Sequence, residues 1–285
     1  LATLPSVSSL EALRCHLVAD PALRSPGCPP RRSEVARRDT PTGARLQLAA
    51  FGAPLLTGEP GDGTRGSPGA DDVMGEGRLA DVGKLRALPA LPGSKLELET
   101  LKSRYPGALV RIGPEATEHA VRALDTGALS RARFVVFSTH GLMAGSAAAE
   151  PGLVMTPPDQ ASEADDGYLG ASEAAQLRLD AEFVVLSACN TAASDGRPGG
   201  EGLSGLARAF FYAGARSVMV SHWEVSDAAT TTLITSTFAG LDGDAARDPG
   251  VRARALQAGI RAVRAERRWA HPAYWAAFTL VGEPG

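Results

Sequence analysis

The segment Phe134-Val-Val-Phe-Ser-Thr-His140-Gly141 has a counterpart 49 residues on, Phe183-Val-Val-Leu-Ser-Ala-Cys189-Asn190. Each is an apolar run of β-branched and aromatic residues that stops at a reactive side chain. Runs of this length, apolar throughout, suit parallel strands buried on both faces. Two such strands side by side would bring His140 and Cys189 to one edge of one sheet, the edge where open α/β folds build their sites. A thiol and an imidazole meeting there could act as nucleophile and base, so the pair reads first as that of a cysteine hydrolase.

The pattern continues to both sides. Upstream, Arg45-Leu-Gln-Leu-Ala-Ala-Phe51 alternates well enough for a strand, and residues 52–80 are so rich in Gly, Pro and Asp that a long surface loop is expected. Regular structure is expected from about residue 84. It opens with an amphipathic stretch at Leu96, Leu98 and Leu101, a strand at Ala108–Ile112, and a helix from about Glu115 to Leu124 closed by Gly127. Between the two motif strands lies a polar excursion over residues 144–168, with a short strand at Leu153–Met155, and then a helix at Ser172–Leu179. Downstream, a Gly-rich loop at Ala193–Gly200 precedes Leu203, Leu206, Ala207, Phe210 and Phe211, which recur at helical spacing up to Gly214. A strand at Ser217–Ser221 follows, then helices marked by Leu233, Ile234, Phe238 and Leu241 and by Leu256, Ile260 and Val263, and a closing strand at Phe278–Gly282. Alternation of this kind predicts an α/β fold with a mostly parallel β-sheet sandwiched between helices. Residues 1–83 are expected to form an irregular N-terminal part, with one short helix at Ser8–Val18, and residues 84–285 the core. No internal repeat is visible.

Composition narrows the function. A chain of 285 residues, 44% of them hydrophobic, can bury a large core, and no apolar run reaches the length of a membrane span. A formal charge of -3 gives no support to nucleic-acid binding, which needs a surplus of Lys and Arg to neutralise phosphates. Cys15, Cys28 and Cys189 stand far apart with no CxxC pair, so neither a metal site nor a disulfide framework is indicated, and a reducing cytoplasm is the expected setting. The chain opens on Leu1 without a signal peptide and is expected to be a piece of something longer.

The chemistry needs both motif residues. A thiol with an unperturbed pKa of ~8.5 is a weak nucleophile at neutral pH until an imidazole favours its thiolate. His140 could do this and later protonate the leaving amine, and its own unperturbed pKa of ~6.5 suits both tasks. Gly141, lacking a side chain, could bring its N–H close to a reacting carbonyl, and the N–H of Cys189 could be a second donor to the oxyanion. The plainer alternative makes Cys189 a buried small hydrophobe and His140 an ordinary strand-end residue.

Further motifs carry a family resemblance. Thr139-His140-Gly141, Leu186-Ser-Ala-Cys189-Asn-Thr191, Gly200-Glu-Gly202, Ala213-Gly-Ala215, Trp223-Glu-Val-Ser-Asp227 and His271-Pro-Ala-Tyr-Trp275-Ala-Ala-Phe278 follow in the order seen in CHAT domains. The chain resembles that family densely over residues 84–285, and more loosely back to Leu4-Pro-Ser6. CHAT domains are similar to caspases and separases, so the resemblance implies a caspase-like sheet and a cysteine endopeptidase with a His140–Cys189 dyad and no cofactor. It also implies a protein substrate, helical-repeat regulatory domains or partners, and a bacterial signalling or defence setting. The competing reading from a different class is a caspase-like interaction or scaffold module without proteolysis.

Several residues have two readings. The resemblance makes Asp227 the acidic group that would select a basic P1 side chain, whereas its place beside Ser226 at a helix start suits a cap. Trp223 could wall a substrate pocket or pack in the core. Gly200-x-Gly202-x-x-Gly205 spells the dinucleotide fingerprint, but its glycines do not directly follow a strand, so a turn beside the site is the expected role. His16, His119, His222 and His271 lack metal-ligand spacing. Arg252, Arg254, Arg261, Arg264 and Arg268 are expected to form a solvated basic helix face.

Overall fold

The computed structural model describes residues 45–60, 69–75, 79–143, 150–188, 205–241 and 250–283. In chain order the strands are β1 (Leu46–Gly52), β2 (Leu109–Ile112), β3 (Ala132–Ser138), β4 (Gly141–Leu142), β5 (Gly152–Val154), β6 (Tyr168–Gly170), β7 (Phe183–Ser187), β8 (Ser217–Ser221) and β9 (Phe278–Gly282). The helices are α1 (Ala70–Val73), α2 (Val82–Arg86), α3 (Pro92–Arg104), α4 (Glu118–Leu124), α5 (Ala171–Ala174), α6 (Gly205–Ala213), α7 (Asp227–Ala239) and α8 (Val251–Ala265). Among the described residues no helix is long and apolar enough to cross a membrane.

Six strands form the main sheet in the order β2-β1-β3-β7-β8-β9. All neighbours are parallel except β9, which runs antiparallel to β8 at one edge. The apolar runs explain the middle of this sheet, because every residue of β3 and β7 is buried and successive side chains enter opposite cores. Phe134, Val136, Phe183 and Val185 face α3, α7 and α8, while Val135, Phe137, Val184 and Leu186 face α4, α5 and α6. The mostly parallel sheet with helices on both faces is thus present. β1 lies inside the segment expected to be irregular, yet it is an interior strand between β2 and β3, so the sheet draws on both sides of the expected division at residue 84.

Four expectations need correction. The described parts of residues 52–80 do not run as a bare loop, because Leu56, Ala70, Val73 and Ala80 are buried in a third small core with Leu142, Val154 and Tyr168. The inward face of α3 carries Ser94, Glu97, Leu98 and Leu101, whereas Leu96 is 58% exposed. Residues spaced i, i+3, i+4 and i+7 share a helix face, and Leu96 falls outside that set. Arg252 is buried rather than on a solvated face, and its guanidinium donates to the Glu283 carbonyl. The helix expected over Ser172–Leu179 is only the single turn α5. The expected helix at Ser8–Val18, the loop at Ala193–Gly200 and the glycines at 200 and 202 lie outside the described residues.

A second, three-stranded sheet in the order β4-β5-β6 grows from the end of β3. Two residues only, Thr139 and His140, separate β3 from β4.

Candidate active site

β3 and β7 pair in register from Phe134 with Phe183 to Ser138 with Ser187. This is the same offset that separates His140 from Cys189 in sequence, so each reactive residue stands two positions beyond a matched strand end. Cys189 itself lies outside the described residues. By strand alternation His140 belongs to the parity of Phe134, Val136 and Ser138, which face the α3 and α7 side.

His140 is fully buried, and its Nε2 lies 2.8 Å from the Pro89 carbonyl oxygen. A carbonyl can only accept, so this contact assigns the proton of the neutral ring to Nε2 and leaves Nδ1 as its acceptor. A histidine in that tautomer can take a proton at Nδ1 while Nε2–H stays anchored. The backbone of His140 is fixed as well, since its carbonyl accepts from the Val154 N–H at 3.0 Å and the preceding Thr139 hydroxyl donates to the Val154 carbonyl at 2.5 Å.

Gly141 pairs with Leu153 in the β4–β5 ladder. Because the neighbouring His140–Val154 position carries the ladder hydrogen bond, Gly141 occupies a non-hydrogen-bonded position and its N–H points away from β5.

Two acidic side chains approach the same end of the sheet from the helices. Glu97 on α3 is fully buried, and its Oε2 accepts from the Ser187 hydroxyl at 3.1 Å, which ties the end of β7 to α3. Asp227 is the first residue of α7, whose N-cap is Ser226. It is 5% exposed, and its Oδ2 accepts from the Gly93 N–H at the start of α3. A carboxylate at that helix N-terminus meets orphan N–H groups and the positive end of the helix dipole. Trp223 is 39% exposed and donates from Nε1 to the Ala273 carbonyl at 2.9 Å, which fastens it to the 272–274 turn.

The structure therefore joins His140 and Gly141 at one junction, with Asp227 one short segment away across Pro89–Gly93. Sequence reasoning missed that segment and Glu97. Pro89-Ala-Leu-Pro92-Gly93 announces a helix start through its prolines, but a backbone carbonyl used as a hydrogen-bond partner leaves no residue signature. Glu97 had one usable signal, a lone acid at the inward spacing of Leu98 and Leu101. Among the described residues no group of three His, Cys, Asp or Glu is arranged to hold a metal ion.

Comparison with known proteins agrees with the reading of the motifs. The model of the CHAT domain matches residues 11–283. Tetratricopeptide repeat protein 28 of Mus musculus is 36% identical over 115 residues, 40% of this chain and 4% of that protein. The Homo sapiens protein of the same name is 32% identical over 115 residues, again 40% of this chain and 4% of its own length. The chain thus spans only a small part of the curated relatives it matches. Among solved structures, that of the Arg specific cysteine proteinase gingipain R superposes with a TM-score of 0.49 and 12% identity, covering 84% of this chain and 46% of that one. The complex of Porphyromonas gingivalis RgpB pro- and mature domains gives a TM-score of 0.49 and 12% identity, covering 84% and 47%.

Proposed function

Because the chain belongs to the CHAT domain family, we propose that it is a cysteine endopeptidase acting on a protein substrate through His140 and Cys189. His140 Nδ1 takes the thiol proton, and the Cys189 sulfur attacks the scissile carbonyl carbon. The N–H groups of Gly141 and Cys189 receive the oxyanion. The C–N bond breaks as the imidazolium returns its proton to the leaving amine, and water, deprotonated by the same ring, then hydrolyses the thioester. The observation that carries this reading is the in-register pairing of β3 with β7, which gives the two reactive residues equivalent positions beyond matched strand ends.

The finer parts of the proposal concern substrate and setting. Asp227 is the acidic group through which a basic P1 side chain would be selected, with Trp223 as a wall of the substrate groove. Helical-repeat domains are the proposed regulators or partners, a reading supported by relatives named as tetratricopeptide repeat proteins. The bacterial signalling or defence setting rests on resemblance alone, and a cytoplasmic location on the scarcity and spacing of cysteines.

One observation favours the non-catalytic alternative. His140 is fully buried, whereas a catalytic base must meet its substrate. Cleavage of a peptide library by the purified chain, beside Cys189→Ala and His140→Ala, separates the two readings. The expected result is cleavage and labelling by a thiol-directed probe that both substitutions abolish, with unchanged circular dichroism. An unlabelled, inactive wild-type chain would favour the scaffold.

A further inference from the structure

We infer that Asp227 is a positioning residue for His140, acting with Thr231 through a clamp on Gly93 that holds the Pro89 carbonyl against the imidazole. The inference rests on the reading of His140 as the catalytic base. The clamp has two arms, both from the first turns of α7. Asp227 Oδ2 accepts from the Gly93 N–H, and the Thr231 hydroxyl donates to the Gly93 carbonyl at 2.9 Å. The same hydroxyl reaches the Asp227 carbonyl at 2.9 Å, so the two arms belong to one turn of helix.

From Gly93 the chain runs back through Pro92, Leu91 and Ala90 to Pro89. Proline at both ends of this strap fixes two of its φ angles and leaves it little freedom to absorb a shift, so a displacement at Gly93 is passed on to Pro89. Its far side is pinned to residue 58. The Gly58 N–H donates to the Leu88 carbonyl at 3.1 Å, and the Ala90 N–H donates to the Gly58 carbonyl at 3.1 Å. The Pro89 carbonyl, between these two contacts, is the group that meets His140 Nε2.

Both pinning points require glycine for reasons of space. A Cβ on Gly93 would lie 2.4 Å from Asp227 Oδ2 and 2.8 Å from Thr231 Oγ1, and one on Gly58 would lie 2.3 Å from the Ala87 carbonyl oxygen. The strap can therefore be displaced without touching His140, Cys189 or the Asp227 charge.

Gly93→Ala and Thr231→Val test this. Gly93→Ala forces the Asp227 carboxylate away, and Thr231→Val removes the second arm with a side chain of equal shape. Two readouts apply. The first is the 15N spectrum of His140 in a Cys189→Ala background, assigned with His140→Gln, which reports the tautomer whether or not the chain is active. The second is the split of kcat from KM on matched peptides with basic and neutral P1 residues. Both variants should lower the Nε2-protonated fraction, and kcat should fall at least about tenfold, since small misplacements of catalytic groups are costly. KM and the ratio of basic to neutral P1 cleavage should stay as they were in Thr231→Val, which leaves the Asp227 carboxylate in place, whereas Gly93→Ala, which moves it, should also lower that ratio. An unchanged tautomer with unchanged kcat overturns the clamp, as does a change confined to the P1 ratio, which would turn Asp227 towards substrate alone. If Gly93→Ala fails to fold, Thr231→Val decides. If the wild-type chain cleaves nothing while the tautomer shifts, the clamp stands and the peptidase reading fails.

Discussion

The six-stranded sheet and the three-stranded sheet β4-β5-β6 meet at His140, and they are stabilised by opposite means. Around the first, rings pack on rings. Phe238 of α7 stands edge-on to Phe134 and Tyr105 and stacks with Phe183, with centroids 5.8 to 6.3 Å apart. Around the second, the ties are carboxylates. Asp166 accepts from the Ala80 and Tyr168 N–H groups, Glu118 accepts from the Asp166 N–H, and Glu173 accepts from the Gly170 N–H. Arg122 reaches Glu118 and Glu173 together. The His140 imidazole thus sits where a frame of packed rings meets strands that are tied by groups whose titration burial has shifted.

The largest effect should come from breaking the frame of packed rings. Phe238→Ala removes a fully buried ring shared by three aromatic neighbours, and large-to-small changes of this kind cost about 3–5 kcal/mol. Equilibrium denaturation should show that loss with the same magnitude at pH 5 and pH 7. A loss that varied strongly with pH would show that the two sheets do not divide as described.

The carboxylate-tied sheet should behave differently. Burial, reinforced by Glu173 and only partly opposed by the Asp166 N–H and Arg122, raises the Glu118 pKa from 4.5 to about 7. Burial raises Asp166 and Glu173 in the same direction. A carboxyl whose folded pKa lies above its unfolded value holds its proton more tightly when folded. Its contribution is complete below about pH 4.5 and is lost as pH rises through about 7. Compared with Glu118→Gln, the wild-type chain should therefore lose roughly 2–3 kcal/mol of stability between those limits. Parallel stability curves for the two proteins across this range would remove Glu118 from the account.

The same contrast explains what the sequence made legible. Apolar runs announce buried strands, so β3, β7, β8 and β9 could be read almost to the residue, and the matched ends at Ser138 and Ser187 followed from their spacing. Strand order could not be read, because pairing is decided by packing on both faces, and β1 entered the sheet interior from a segment that looked peripheral. Of the second sheet only β5 was legible, as the short strand expected at Leu153–Met155 within a polar excursion. Its three short strands are held by Asp166, Glu173 and Thr139, whose types equally suit solvent, and only the fold shows that they are buried or turned inward. Of the site, the reactive side chains and Gly141 were visible as motifs. The Pro89 carbonyl was not, because every residue carries one.

The smallest effect should come from the seam between the two sheets. Thr139→Val keeps the shape of the side chain but removes the hydroxyl that donates to the Val154 carbonyl within a buried junction. The carbonyl keeps its place in β5 and loses one partner, a change worth about 1–2 kcal/mol. The cost should fall on one side of the seam only. Hydrogen exchange should quicken at the Val154 and Leu142 amides, which belong to the ladder beside His140, and stay slow at Val135 and Val136, which are locked in the main sheet. Because His140 continues directly from Thr139, catalysis should weaken in proportion to the opening of that ladder, while Phe238→Ala should affect catalysis only as far as it unfolds the chain. Equal loss of protection in β3 and β5 would mean that the seam is part of the main sheet, and that His140 is set by one frame rather than two.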